Sequence, residues 1–143
     1  MPRYLIEREC LLPHAADVVR RQIEDIARYP EYLPGCSAAE VYEDAGAHQR
    51  ARLQLTWGGF SGEFITRNER TAEGLKLNLE DPGAVLRELT GLWSVAPVGT
   101  GCRVSLSLRV RTRLPLPKPL LDSAADELMD AMIRRAEALS RSG

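Results

Sequence analysis

The chain has 143 residues, of which 44% are hydrophobic and 27% charged, and its formal net charge is −1 at pH 7. This length and composition predict one globular domain, residues 1–143, with an apolar core of its own. The near-neutral charge argues against DNA as a partner, and no apolar run reaches the roughly 18 residues of a membrane-spanning helix. The N-terminus lacks the pattern of a signal peptide, so we expect a cytoplasmic protein.

Residues that commonly bind metals or act as nucleophiles are few and scattered. Cys10, Cys36 and Cys102 are odd in number and widely spaced, which favours reduced thiols over a disulfide framework. His14 and His48 are isolated, and the chain has no CxxC or HExxH motif. The sequence therefore predicts no metal site and no catalytic residue, because no cysteine has a recognisable histidine partner.

The first elements are a strand and a short helical region. Residues 3–12 alternate between apolar and polar positions, with Arg8 as the exception on the apolar face. Residues 14–27 carry apolar side chains at helical spacing. Pro30 and Pro34 end this region and exclude a second long helix. The turn that they bound gathers three large side chains, Tyr29, Tyr32 and Leu33.

From residue 37 to residue 113 the hydrophobic period changes to two. Turns are predicted at Gly58-Gly59, at Asp81-Pro82-Gly83 and at Gly99-Thr100-Gly101. The clearest strand is 102–111, where apolar residues alternate with arginines and serines. Because each strand has one apolar and one polar face, the pattern predicts an antiparallel meander that is covered on one side.

The C-terminal region predicts one long amphipathic helix. Residues 114–119 contain alternating prolines and predict a rigid extended bridge. Apolar residues then recur every three or four positions, which indicates a helix of about 18–20 residues. Ser123 and Asp126 form a weak capping-box pattern near its start. This helix is the only candidate cover for the apolar face of the sheet.

These elements predict an α+β fold in which a curved antiparallel sheet of about seven strands wraps around the long C-terminal helix, with two short helices after the first strand. Such an arrangement often leaves an apolar space suited to a hydrophobic small molecule. Residues 28–36 would act as a lid that partly closes it. The side chains predicted to bind the ligand are Tyr29, Tyr32, Leu33, Leu55, Trp57, Phe64, Trp93, Leu106, Met129 and Met132.

Each of these assignments has a plainer alternative. Large aromatic and thioether side chains on an inner sheet face commonly form ordinary core. On the outer face, a basic stripe suits RNA or anionic lipid headgroups, and it consists of Arg103, Arg109, Arg111 and Arg113. The plainer interpretation of that stripe is a solvated sheet face.

Several segments of the chain resemble the coenzyme Q-binding / ribosome-association-toxin family in their order and spacing. This family has the START-type helix-grip fold, which is shared with polyketide cyclases and birch-pollen-allergen-like proteins. The matching segments are 29–36, 64–68, 89–95, 101–104 and 132–136. Two segments depart from the family pattern. Residues 81–85 replace its Gly-Pro-Phe motif, and residues 109–113 form a basic ending where the family has an acidic, phenylalanine-rich one.

The resemblance implies the helix-grip fold and a non-catalytic carrier or chaperone of a hydrophobic molecule, such as ubiquinone, another isoprenoid quinone or a lipid. No other cofactor is expected, and delivery of such a ligand predicts peripheral contact with the inner membrane. One alternative is a toxin-like protein that binds the large ribosomal subunit. A second is a polyketide cyclase or aromatase, although the inward positions are mostly apolar. The expected polar exceptions are Arg8, Thr66 and Glu88.

Overall fold

The computed structural model of the protein describes residues 2–57, 60–81 and 86–142. The chain forms, in order, β1 (Arg3–Leu12), α1 (Ala16–Glu24), a 3₁₀ helix (Ile26–Glu31), β2 (Cys36–Ala45), β3 (His48–Trp57), β4 (Phe60–Arg70), β5 (Gly74–Leu79), β6 (Leu86–Val98), β7 (Gly101–Thr112) and α2 (Lys118–Ser142).

The strands form one antiparallel sheet in the order β1-β7-β6-β5-β4-β3-β2. Strands β2 to β7 follow each other as a meander, and β1 pairs with β7 along its whole length. The long helix and the two short helices after β1 lie where the sequence predicted them. The expected α+β helix-grip fold is therefore confirmed.

The predicted alternation of faces is also confirmed. In β7, Cys102, Val104 and Leu106 are buried, whereas Arg103 and Arg109 are exposed. We call the face towards α1 and α2 the inner face and the opposite face the outer face. The assignment of Glu88 to the inner face is wrong. A shift in the β6–β7 register follows Leu86, so that Glu88 lies opposite Arg111 on the outer face.

Helix α2 is longer than predicted, with 25 residues. It begins at Lys118, so Pro119 lies in its first turn and not in an extended bridge. Proline is tolerated there because the first turn does not use its backbone N–H groups for hydrogen bonds within the helix. Ser123 consequently lies inside the helix, and the predicted capping box at that residue is wrong.

Helix α1 is shorter than the predicted 14–27 segment, because it ends at Glu24 and the chain continues as the 3₁₀ helix with Pro30 inside. Val18 was predicted on its apolar face but is exposed. The polar Gln22 is buried instead, since its Nε2 donates to the Met132 carbonyl oxygen at 3.1 Å and so has a partner inside.

Helix α2 crosses the inner face and is attached to it along its length. Near its start, Arg8 of β1 reaches Asp122 at 3.1 Å and Asp126 at 2.7 Å. These ion pairs explain why an arginine occupies the apolar face of β1. Further along, Met129, Met132 and Ala136 join the main core, which includes Val19 and Ile23 of α1 and the centre of the sheet.

Candidate ligand site

One end of the inner face is completely packed. Five neighbouring side chains of β5, β6 and β7 there are no more than 3% exposed, and we call this group the packed end: Leu75, Trp93, Val95, Val104 and Leu106. Leu75 lies opposite Trp93, and Trp93 lies opposite Leu106, so the group continues across the three strands. This region accounts for much of the hydrophobic core and leaves no surface for a ligand.

The other end of the same face is incompletely covered. Five apolar side chains there are only half-buried, and we call this group the open end: Phe64, Leu77, Leu79, Leu89 and Leu108. The register places them on the inner face, because Leu79 lies opposite the buried Thr66 and Leu89 lies opposite the buried Val110. Contiguous apolar surface beneath a helix is a surface that a hydrophobic ligand would cover.

Two inner-face positions at the open end are glycines. Gly62 lies opposite Leu55, and Gly91 lies opposite both Leu77 and Leu108. A Cβ atom on Gly91 would be 3.4 Å from Leu108 Cδ2 and 3.7 Å from Leu77 Cδ1, which is enough room for a methyl group. Because glycine has no side chain, these two positions place no bulk on the inner face.

The structure brings most of the predicted ligand-binding residues together, but mainly as core. Five are buried in the main core: Tyr29, Trp93, Leu106, Met129 and Met132. Tyr32, Leu33 and Leu55 are partly buried against that core. Phe64 belongs to the open end, and the side chain of Trp57 lies outside the described residues. Contact of any of them with a ligand stays a prediction.

The open-end leucines were missed as candidate site residues. The period-two pattern placed Leu77, Leu79 and Leu108 on the apolar face, but leucines at such positions do not differ from core in sequence. Only their incomplete coverage by the helices distinguishes them.

The predicted lid, residues 28–36, is attached to α2. The Tyr32 hydroxyl donates to Met132 Sδ at 3.6 Å, and the Arg135 guanidinium lies 5.1 Å from the Tyr32 ring centroid. Arg135 also pairs with Glu31 at 2.9 Å. The Tyr29 hydroxyl donates to the Ile23 carbonyl oxygen. Burial raises the pKa of both tyrosines, so both hydroxyls stay protonated donors. Opening of this segment stays a prediction.

Three polar side chains are buried on the inner face of β3 and β4: Gln49, Thr66 and Asn68. Asn68 Nδ2 donates to Gln49 Oε1 at 2.9 Å. Thr66 Oγ1 and Asn68 Oδ1 have no hydrogen-bond partner among the described residues. The sequence indicated Thr66 as an inward polar residue, but Gln49 and Asn68 were not recognised, because their burial depends on the pairing of two strands.

Burial raises the pKa of the Cys10, Cys36 and Cys102 thiols, which keeps them in the weakly nucleophilic protonated form at neutral pH. Within the described ranges, no group of three His, Cys, Asp or Glu side chains is placed to hold a metal ion. No described helix has the length and hydrophobicity needed to cross a membrane.

On the outer face, the predicted basic stripe is partly neutralised. Arg103 pairs with Glu9 at 2.8 Å, and Arg111 pairs with Glu88 at 3.0 Å. The register adds Arg3 to the stripe, because Arg3 lies directly opposite Arg111. The exposed Arg109 lies two residues from Arg111 on the same face.

Comparison with protein families gives a match over residues 12–137 to the family described as polyketide cyclase / dehydrase and lipid transport. The chain belongs to this family. The ribosome association toxin RatA of Pseudomonas aeruginosa is 36% identical over 94% of this chain and 96% of its own length. RatA of Vibrio cholerae is 28% identical over 92% of this chain and 94% of its own length. The family resemblance seen in the sequence is confirmed.

Solved structures support the same fold. A START superfamily protein from Mycobacterium smegmatis has a TM-score of 0.82 at 22% identity, covering 94% of this chain and 98% of that protein. The Zhui aromatase/cyclase from a Streptomyces species has a TM-score of 0.86 at 15% identity, covering 95% of this chain and 94% of that enzyme. At these identities the likeness concerns the fold and not the activity.

Proposed function

We propose that the protein binds a hydrophobic small molecule between the open end of the sheet and α2, and that it acts as a carrier or chaperone for that molecule. The observation that carries this proposal is the set of half-buried apolar side chains on the inner face. Membership of a family described by lipid transport agrees with it. An isoprenoid quinone such as ubiquinone, or a lipid, has the apolar character that this surface requires.

Affinity would come from the apolar surface that the ligand covers. Roughly 40 Å² of apolar surface removed from water contributes about 1 kcal/mol. The packed end is already buried before the ligand arrives, so it would contribute rigidity and little affinity. Because such ligands reside in bilayers, loading and delivery would take place during transient contact with a membrane surface.

Native mass spectrometry of the freshly purified protein, followed by solvent extraction, tests this proposal. We expect a mass increment that is extracted as a quinone or a lipid. If the protein is recovered as the bare chain, titration with a short-chain ubiquinone analogue should still change the tryptophan fluorescence of the protein. A bare chain that binds the analogue in neither its oxidised nor its reduced form would contradict a carrier function for quinones.

We propose as a second function that the protein associates with the ribosome, through the large subunit. The 36% identity to a protein named ribosome association toxin supports it. The outer face supports it as well, because Arg3 and Arg111 lie directly opposite each other. Glu88 and Glu9 neutralise part of the charge of this face, and the remaining positive charge suits an anionic partner such as ribosomal RNA.

Cosedimentation with purified ribosomal subunits tests the second function. We expect binding that weakens as salt rises, because phosphate contacts release counterions. Arg109→Glu should weaken binding and lower the salt slope by about 1. Arg134→Glu, the same charge change at an exposed position of α2, is the matched control. Equal binding by the two variants would exclude the basic stripe as the contact surface.

A further inference from the structure

The inner face of β4 holds two polar side chains that the fold leaves incompletely satisfied. Thr66 is 4% exposed and Asn68 is 2% exposed. The two residues are two positions apart on one strand, so both side chains project from the same face. Thr66 Oγ1 and Asn68 Oδ1 each lack a hydrogen-bond partner among the described residues.

Buried polar atoms in folded proteins nearly always have a partner, and a buried atom without one destabilises the fold. Valine has almost the same shape as threonine and would avoid that penalty at position 66. The threonine and the asparagine at these positions therefore carry a stability cost that a bound group would remove.

The strand register places both side chains at the border of the open end. Thr66 lies opposite Leu79, and Asn68 lies opposite Leu77. Phe64 precedes Thr66 by two residues on the same face. A hydrophobic molecule that covers the open end would therefore bring part of itself next to the two unpartnered oxygens.

The chemistry of the two oxygens selects the group that satisfies them. Asn68 Nδ2 donates one of its two hydrogens to Gln49, whereas Asn68 Oδ1, an acceptor, has no partner among the described residues. The Thr66 hydroxyl both donates and accepts. A hydroxyl group can accept from Thr66 and donate to Asn68 at the same time. A carbonyl or ether oxygen satisfies Thr66 alone, because it has no hydrogen to donate.

We propose that the ligand is an apolar alcohol or phenol whose hydroxyl group is bound between Thr66 Oγ1 and Asn68 Oδ1. This inference rests on the proposed carrier function and narrows its ligand class. Among isoprenoid quinones, it selects the reduced quinol, which bears hydroxyl groups, over the oxidised quinone.

Three matched probes test the assignment: para-nonylphenol, its methyl ether and nonylbenzene. The phenol donates and accepts, the ether only accepts, and the hydrocarbon does neither. We expect the wild-type protein to bind the phenol about tenfold more tightly than the ether, which is the effect of one well-placed hydrogen bond. Asn68→Leu should reduce that ratio towards one. Thr66→Val should instead remove the preference for the ether over nonylbenzene, and Thr66→Ser should preserve both preferences.

A stability measurement separates recognition from a structural role. Without ligand, Thr66→Val should leave the melting temperature unchanged or raise it, because it removes an unpartnered hydroxyl. A lower melting temperature in that variant would show that the threonine stabilises the fold and would contradict the assignment.

The remaining outcomes are distinguishable. Equal wild-type affinity for all three probes would overturn hydroxyl recognition and leave the carrier function standing. A preference for the phenol that neither variant changes would show that the hydroxyl binds elsewhere. Failure of all three probes to bind would contradict the carrier function and this inference together.

Discussion

The packed end and the open end belong to the same sheet face, yet they differ in what covers them. On β5, Leu75 is completely buried while Leu77 and Leu79 are half-buried. Helix α1 packs on β5, β6 and β7, and its Val19 and Ile23 share the main core with Leu75. The packed end is thus covered by two helices, whereas the open-end leucines of β5 are covered less completely. The packed end therefore contributes most to stability, and the proposed ligand site lies at the end that the helices cover less completely.

The largest expected effect is on stability at the packed end. Trp93→Ala should reduce the free energy of unfolding by about 3–5 kcal/mol, because it leaves a cavity in close-packed core. Leu79→Ala at the open end should cost only about 1 kcal/mol, since that side chain is partly exposed already. Urea denaturation of both variants makes the comparison. Equal losses would show that the two ends are packed alike.

The next effect concerns binding at the open end. Gly91→Leu should lower the affinity for a hydrophobic ligand at least tenfold, because the new side chain occupies the space in front of Leu77 and Leu108. Gly91→Ala is the control, since a methyl group fits at ordinary contact distances. Fluorescence titration measures both affinities. If the leucine variant binds as well as the alanine variant, the ligand does not occupy this space.

A smaller effect is expected at the lid. Arg135→Ala removes both the ion pair with Glu31 and the contact with the Tyr32 ring. These contacts together contribute about 1 kcal/mol, so the lid should open more often and the ligand should exchange faster. Stopped-flow release measures the rate, and Arg134→Ala is the neighbouring control. An unchanged release rate would exclude residues 28–36 as the gate.

The smallest expected effect is a difference in melting temperature between two variants, one without a helix-to-sheet ion pair and one without a strand-to-strand ion pair. Arg8→Met breaks the connection from β1 to Asp122 and Asp126 of α2, whereas Arg103→Met breaks a pair between neighbouring strands. The first variant should have the lower melting temperature, because it loosens the attachment of the helix to the sheet. Thermal unfolding followed by circular dichroism measures both. A larger decrease for Arg103→Met would contradict this view of α2.

Much of the fold could be predicted from local pattern. Alternation of period two assigned the inner and outer faces of β1 and β7 correctly, because successive side chains of a strand point to opposite sides. Helical spacing identified α2. Two of the wrong predictions concern the start of α2 and the β6–β7 register. Pro119 was placed outside the helix although the first turn accepts proline, and Glu88 was placed inside because a register shift cannot be seen in one strand.

The candidate site was predicted less completely. Trp93 and Tyr29 were predicted to contact a ligand, and the structure buries both in the main core, so that this contact stays a prediction. The leucines of the open end looked like core and proved to be half-accessible. Size and hydrophobicity are properties of a residue, whereas the accessibility of a side chain on the sheet depends on where the helices cover it.

The sequence by itself determined which residues point inward, that a long amphipathic helix covers them, and which family the chain resembles, because these follow from local periodicity and short motifs. The tertiary structure alone decided which inward residues are fully buried, why Arg8 is tolerated among them, and that Thr66 Oγ1 and Asn68 Oδ1 have no hydrogen-bond partner in the described part of the chain. These properties depend on residues far apart in the chain. Arg8 and Asp122, for example, are separated by 114 positions and meet only when the helix lies across the sheet.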